Sequence, residues 1–283
     1  MTESKPTLQQ GFADVAQQQQ DPALFFRMLD MQAAHPAIVS MRARALDLLG
    51  PASGGRFLDV GCGTGEFARA LGERVVPGGI VSGVDASPTM IGEARRRTGD
   101  GPLIEVVEFA EEDAQSLRFA DETFDGVHCE RVLQHLPDPD RALGEFVRVA
   151  KPGAAIVIAD TDWETAVLGP LDPDVDRRLR TGLAMSFPNG LIGRRLFAMM
   201  HKAGLAGVAI GSESLIFTEW DEERFIGPPI GRLLPMAQEQ GLLTASEAES
   251  ARAAVVEAAA SGTFFASVTM FLASGRKPAT DLS

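Results

Sequence analysis

Two aspartates and three alternating glycines are the residues of this chain whose types and spacing could do chemistry. The run Arg56-Phe57-Leu58-Asp59-Val60-Gly61-Cys62-Gly63-Thr64-Gly65-Glu66 is an apolar stretch that ends in an acid and opens into Gly61, Gly63 and Gly65. Glycine accepts positive φ and leaves no Cβ between backbone and ligand, so the pattern describes a strand that stops in a tight turn against a small molecule. A helix is expected from Glu66, burying Phe67 and Leu71. An acid after the next strand should hold a ribose, and Ile80-Val81-Ser82-Gly83-Val84-Asp85 supplies Asp85 at an offset of about 20 residues. The expected ligand is nucleoside-like.

Two rival loops fail on their own chemistry. A P-loop needs G-x-x-x-x-G-K-[ST] with a lysine on the phosphates, and neither Lys nor Arg lies between Phe57 and Ala68. The dinucleotide fingerprint G-x-G-x-x-G asks for a third glycine where this chain has Glu66, and a carboxylate there would repel a pyrophosphate. A ligand without phosphate fits better.

On these residues the chain resembles the class I S-adenosylmethionine-dependent methyltransferases, in which a loop like Asp59 to Gly65 passes under the methionine part of the cofactor. The likeness continues through Glu112-Asp113-Ala114-Gln115-Ser116-Leu117, Phe119 to Asp125, and Val147 to Ala154, in order over roughly residues 55–162. It implies S-adenosyl-L-methionine as cofactor, S-adenosyl-L-homocysteine as by-product, and direct displacement at the sulfonium methyl. It also implies cofactor contacts at Asp59, Gly61, Gly63, Gly65, Asp85 with Ala86, Asp113 with Ala114, and Glu130 with Arg131. Holding a nucleophile in line with the methyl carbon contributes about 7–11 kcal/mol, so a dedicated base is optional.

Each candidate has a plainer alternative. Asp59 either meets the cofactor's ammonium or accepts hydrogen bonds from its own turn. Asp113 either reads adenine N6 or is a turn residue, and Arg131 either faces the cleft or is a surface charge. His135, in Val132-Leu133-Gln134-His135-Leu136 at an expected helix start, is a packed or capping histidine or a base; the other three histidines carry less weight. Asp160 and Asp162 are further base candidates for an alcohol acceptor. Trp163 either walls the substrate pocket or covers the sulfonium, while Phe25 and Met31 are pocket candidates that also suit a core. Arg42 and Arg44 either reach the cofactor carboxylate or face solvent.

Composition narrows the partner. A net charge of −13 and a pI near 4.8 oppose a nucleic-acid surface, which needs clustered Lys and Arg. The basic run Arg95-Arg96-Arg97 reads as a solvated helix face. No apolar stretch approaches the roughly 18–20 residues of a membrane span and the N-terminus lacks a signal-peptide pattern, so the expected address is the cytoplasm. Cys62 and Cys129 alone suggest neither disulfides nor a zinc site, and no metal is expected. A small-molecule acceptor, including the specialised-metabolite class, is the expected partner, and the chain is a monomer or homodimer.

The elements that must position these residues alternate short apolar runs with helical patterns, the signature of an α/β fold with a doubly wound, mostly parallel sheet. Strands are expected near 56–60, 80–84, 104–109, 124–129, 154–160, 206–217 and 264–273, with Ser87 capping the helix after Asp85. The resemblance implies seven strands in a Rossmann-like sheet, the last antiparallel. Residues 1–50, with Gln17-Gln18-Gln19-Gln20, read as a helical cap; 51–283 read as the core, with pocket-forming insertions at about 163–189 and 221–262. The competing readings are an NAD(P)-dependent oxidoreductase, weakened by Glu66, and a noncatalytic nucleoside-binding module, which needs no enclosed acceptor site.

Overall fold

The computed structural model describes residues 22–224 and 227–279, with side chains from Phe26 onward. The expectations on Gln17–Gln20 and on the Phe25 side chain lie outside what is described. Two helices come first, α1 (Pro22–Ala33) and α2 (Pro36–Leu49). The alternating core follows as β1 (Arg56–Val60), α3 (Glu66–Val75), β2 (Ile80–Asp85), α4 (Pro88–Thr98), β3 (Val107–Glu111), β4 (Phe124–Glu130), α5 (Pro139–Val149) and β5 (Ala150–Leu168). Then come α6 (Pro173–Met185), α7 (Ile192–Lys202), β6 (Ala206–Phe217), α8 (Ile230–Glu239), α9 (Ala245–Ser261) and β7 (Ala266–Arg276).

The seven strands run in the order β3-β2-β1-β4-β5-β7-β6, with β7 antiparallel to both neighbours and the other pairings parallel. The strand order therefore reverses between β1 and β4, and the crevice outside their carboxyl ends is where such sheets bind ligands. Apolar side chains bury both faces. Leu58, Val127, Phe146 and Ile156 pack under α5 and α7, and Phe57, Phe67, Leu71 and Val157 pack under α2, α3 and α4. Two free cysteines, Cys62 and Cys129, are buried in these layers as expected of small core residues.

Three boundaries depart from the sequence reading. The third strand runs at 107–111 instead of 104–109, because Leu103 closes a turn whose carbonyl accepts from Val106 and Val107. The fifth strand continues through Trp163 to Leu168, held by Val167 and Leu168 pairing with Ser267 and Ala266 of β7. His135 ends a single 3-10 turn, Leu133–His135, and the helix begins only at Pro139, where Asp138 caps the N–H of Arg141. The basic run on α4 is also not a plain solvated face: Arg96 and Arg97 pair with Glu93, Arg97 with Asp30, and Arg95 donates to the Phe109 carbonyl.

α2 is a layer of the domain, since Ile38, Met41, Ala45, Leu46 and Leu49 are buried against the sheet. α1 reaches the cleft. The helices of the two later insertions share a separate small core of Leu171, Val175, Ile230, Leu234, Val255 and Phe264. Among the described residues, no helix is long and apolar enough to cross a membrane.

Candidate functional site

The glycine loop takes the strained path its sequence allows. Gly61, Gly63 and Gly65 have φ of 68°, 53° and 79°. A Cβ on Gly61 would collide with Val132, and one on Gly65 with the Phe109 ring, so both are packed against the protein. A Cβ on Gly63 meets nothing within 4 Å, which marks the loop's open face. Asp85 ties this loop to β2: Oδ2 accepts from Gly63 N–H at 3.0 Å and Oδ1 from Ser87 N–H at 2.9 Å. Burial raises the Asp85 pKa and these two bonds oppose that rise. The next residue, Ala86, is exposed, and Ser87 caps α4 as expected, accepting from Met90 N–H.

Beneath the loop, Asp59 and His128 lie directly opposite each other in the β1–β4 register. The His128 ring is buried, donates Nδ1–H to Asp59 Oδ1 at 2.8 Å and stacks on Phe67 with centroids 3.6 Å apart. One pleat further along β4, Glu130 receives Arg42 of α2 through two bonds of 2.8 and 3.0 Å. The same guanidinium reaches Glu66 at the start of α3 at 2.8 Å. Burial pushes the Glu130 carboxyl up, but Arg131 and Arg42 outweigh it and hold it near 2. Arg131 has φ of 57°, a left-handed conformation rare for a side chain of this size. It pairs with Glu130 and donates to Gln32 Oε1 of α1 at 3.1 Å.

These groups line one cleft together with Leu29 and Ala33 of α1, Cys62, Thr64 and Phe67. Its volume is about 80 Å³, below the roughly 300–1,000 Å³ of small-molecule sites, because α1 and Arg42 close over it. Met31 is half-buried and, two residues from Leu29 and Ala33, turns about 200° away from them around the helix. Met31 is therefore not part of this cleft's lining. Met90, packed by Phe26, Met28 and Leu29, continues the covering of α1 towards Asp85.

Asp113 is exposed at the far end of the crevice, its Oδ1 accepting from Gln115 N–H at 2.9 Å, and Ala114 is buried beside it. Past the end of β4, and on β5 itself, lies an aromatic group. Trp163 stacks on Phe187 at 4.9 Å and 4°, and His135 tilts against Phe187 at 5.5 Å. Gln134 joins them, accepting Trp163 Nε1–H at 2.7 Å and approaching His135 Nε2 at 3.2 Å. Burial, reinforced by Arg131, lowers the His135 pKa to about 4. Asp160 is fully buried and accepts from Thr161 and Gln134 N–H groups; burial raises its pKa to about 7 against those bonds. Asp162 is held by the Arg194 guanidinium on α7. Both aspartates therefore serve the backbone or an ion pair, while His135 and Trp163 come together.

Residues 58–158 match the sequence model of the methyltransferase-domain family. An uncharacterised 37.1 kDa protein of a Streptomyces fradiae transposon is 32% identical over 246 residues, 86% of this chain and 69% of that one. The chain belongs to the class I S-adenosylmethionine-dependent methyltransferases. The cofactor is accordingly S-adenosyl-L-methionine. The methyltransferase is also 37% identical to a demethylmenaquinone methyltransferase of Staphylococcus aureus over 124 residues, 44% of this chain and 50% of the relative. It thus spans about half the length of that relative. Among solved structures it resembles the Haemonchus contortus phosphoethanolamine N-methyltransferase 2 bound to S-adenosyl-L-methionine, with a TM-score of 0.61, 20% identity, and 95% and 60% of the two chains covered. At that identity the likeness is one of fold.

Sequence reasoning passed over three participants in the methyltransferase's cleft. His128 was readable only as a polar residue at a core-facing position of β4, two residues before Glu130. Glu66, noted for the phosphate it excludes, also anchors Arg42. Gln134 joins Trp163 to His135 and had no sequence signal, since glutamine is common on surfaces.

Proposed function

We propose that this methyltransferase methylates a small-molecule acceptor held between the Gly61–Gly65 loop and the Trp163–Phe187–His135 group. The observation that carries this reading is the covering of the cleft: Leu29 and Ala33 of α1 line it, and Arg42 spans it between Glu66 and Glu130. The fold alone would not carry it, since one fold hosts many chemistries. The naming of a relative for demethylmenaquinone is consistent with a small-molecule acceptor.

The residues present fit the cofactor. Asp85 has two carboxylate oxygens oriented by backbone N–H groups and would accept ribose hydroxyls, with Ala86 alongside. Gly61, Gly63 and Gly65 would pass beneath the methionine portion, Gly63 leaving the room for it. Asp59, Glu130 and Arg131 would surround its amino-acid end, and Asp113 with Ala114 would take the adenine edge. Arg42 and Arg131 are the cations of the lining that its carboxylate could meet. When bound, the cofactor supplies a methyl group activated by a sulfonium.

The chain's own part is to bind, orient and exclude water. His135, held near pKa 4, is a neutral imidazole at neutral pH and a weak base. Its Nε2 already accepts from the Gln134 amide, so its part is to complete, with Trp163 and Phe187, the wall of the acceptor pocket. Asp160 and Asp162 support this segment from beneath.

Calorimetry with S-adenosylhomocysteine and transfer of a labelled methyl group to a panel of quinols, phenols, small amines and carboxylates test the reading. Micromolar binding with transfer to at least one small acceptor is expected. Binding without transfer to any of them, but with transfer to protein or nucleic acid, overturns it.

A further inference from the structure

His128 is the one buried polar side chain whose partner is missing among the described residues: Nε2 has no hydrogen bond, although its ring lines the cleft beside Gly61, Glu130 and Arg42. A buried nitrogen left without a partner is costly, so it calls for a partner that arrives later. The ring is not loosely held. Asp59 Oδ1 grips Nδ1 from the neighbouring strand at 2.8 Å, and Phe67 stacks at 3.6 Å, so the ring plane is set from two sides. Because Asp59 Oδ1 accepts from Nδ1–H, the neutral ring presents its lone pair at Nε2.

The surroundings say which ligand atom that lone pair suits. Asp85, the ribose end of the cleft, lies on β2, while His128 lies on β4 on the opposite side of β1. The lining carries three acids, Asp59, Glu66 and Glu130, against two cations, Arg42 and Arg131, so a cationic N–H donor is favoured there. We propose that His128 Nε2 accepts a hydrogen bond from the ammonium of the cofactor's amino-acid end, and that Asp59 acts through it as a positioning residue. This rests on the cofactor site described above and changes the part Asp59 plays in it: its carboxylate sets the tautomer and the aim of the imidazole instead of meeting the ammonium itself.

The test compares two ligands by calorimetry: S-adenosylhomocysteine, and 5′-methylthioadenosine, which keeps the nucleoside thioether and lacks the amino-acid end. His128→Asn retains a donor towards Asp59 and removes the Nε2 acceptor. It should weaken S-adenosylhomocysteine about 10-fold and leave methylthioadenosine within twofold of the unmutated protein. An unchanged affinity for the first ligand, or an equal loss for both, overturns the proposal. If the unmutated protein binds neither, the cofactor reading itself has failed. Should the variant not fold, long-range proton–nitrogen spectra of the unmutated protein decide: the His128 Nε2 signal should move with S-adenosylhomocysteine and not with methylthioadenosine, and no movement with the former overturns the assignment.

Discussion

Gly63 N–H donates to Asp85 Oδ2 at 3.0 Å, so the loop after β1 and the end of β2 form one hydrogen-bonded unit. Ser87 N–H holds the other oxygen at 2.9 Å, which leaves the carboxylate little freedom to rotate. A ribose hydroxyl would therefore meet an acceptor already aimed. Asp85→Asn puts an amide N–H where one of these backbone donors now points. A hydrogen bond to a charged group contributes about 1.5–3 kcal/mol, so S-adenosylhomocysteine should bind roughly 10- to 100-fold more weakly by calorimetry. Affinity within twofold of the unmutated protein would show that Asp85 merely braces the loop.

Two glycines of that loop should fail in different ways when replaced by alanine. Gly61→Ala drives a Cβ into Val132, and something in the packed layer must move; a cost of about 1–3 kcal/mol is expected in the urea midpoint. Gly63→Ala meets no protein atom within 4 Å and carries only the left-handed penalty of roughly 1 kcal/mol. Its methyl would instead occupy the open face, so cofactor affinity should drop by more than 10-fold while the fold survives. Similar melting curves and similar binding for the two variants would contradict this division of labour.

Much of this was legible from residue order, because the loop, Asp85 and the strand-helix alternation are local signals with a period and an offset. The count of seven strands and the antiparallel β7 came from resemblance, and the strand order from neither, since pairing across a sheet leaves no local trace. The cleft was legible only in part. Leu29 and Ala33 face it while Met31 does not, and a helix rich in apolar residues on several sides hides which side is inward. Asp160 and Asp162 stand in a run of buried residues, yet their bonds to Gln134 N–H and to Arg194 depend on a turn and a helix that arrive from elsewhere in the chain. The same holds for the Asp59–His128 pair, whose members are 69 positions apart.

Arg42 should couple the helical layer to the cofactor site. Its guanidinium bridges Glu66 and Glu130 across the cleft, and Arg42→Ala leaves the buried Glu130 with Arg131 as its remaining cation. Breaking one member of a buried ion pair costs up to about 3–5 kcal/mol, and the surviving Arg131 should reduce that to roughly 1–3 kcal/mol. Arg42→Ala with Glu130→Gln removes the stranded charge, so the double variant should recover part of the stability. A double variant less stable than the sum of the two single changes would refute the coupling.

Asp160 and His135 should impose opposite pH slopes on stability. Burial raises the Asp160 carboxyl from 3.8 to about 7, so between those values the folded protein binds more protons than the unfolded chain, and stability falls as pH rises. Burial and Arg131 lower the His135 imidazole from 6.5 to about 4, so there the unfolded chain binds more protons and stability rises with pH. The two slopes largely cancel between pH 4.5 and 6.5, a window above the titration of Glu130 near 2. Asp85, also raised by burial, adds the same slope to every variant and drops out of the comparison. Thermal melts from pH 4.5 to 8 should therefore show, relative to the unmutated protein, a melting temperature whose slope with pH is more positive in Asp160→Asn and more negative in His135→Gln. Parallel curves for all three proteins would mean that neither group carries its shifted proton affinity in the fold.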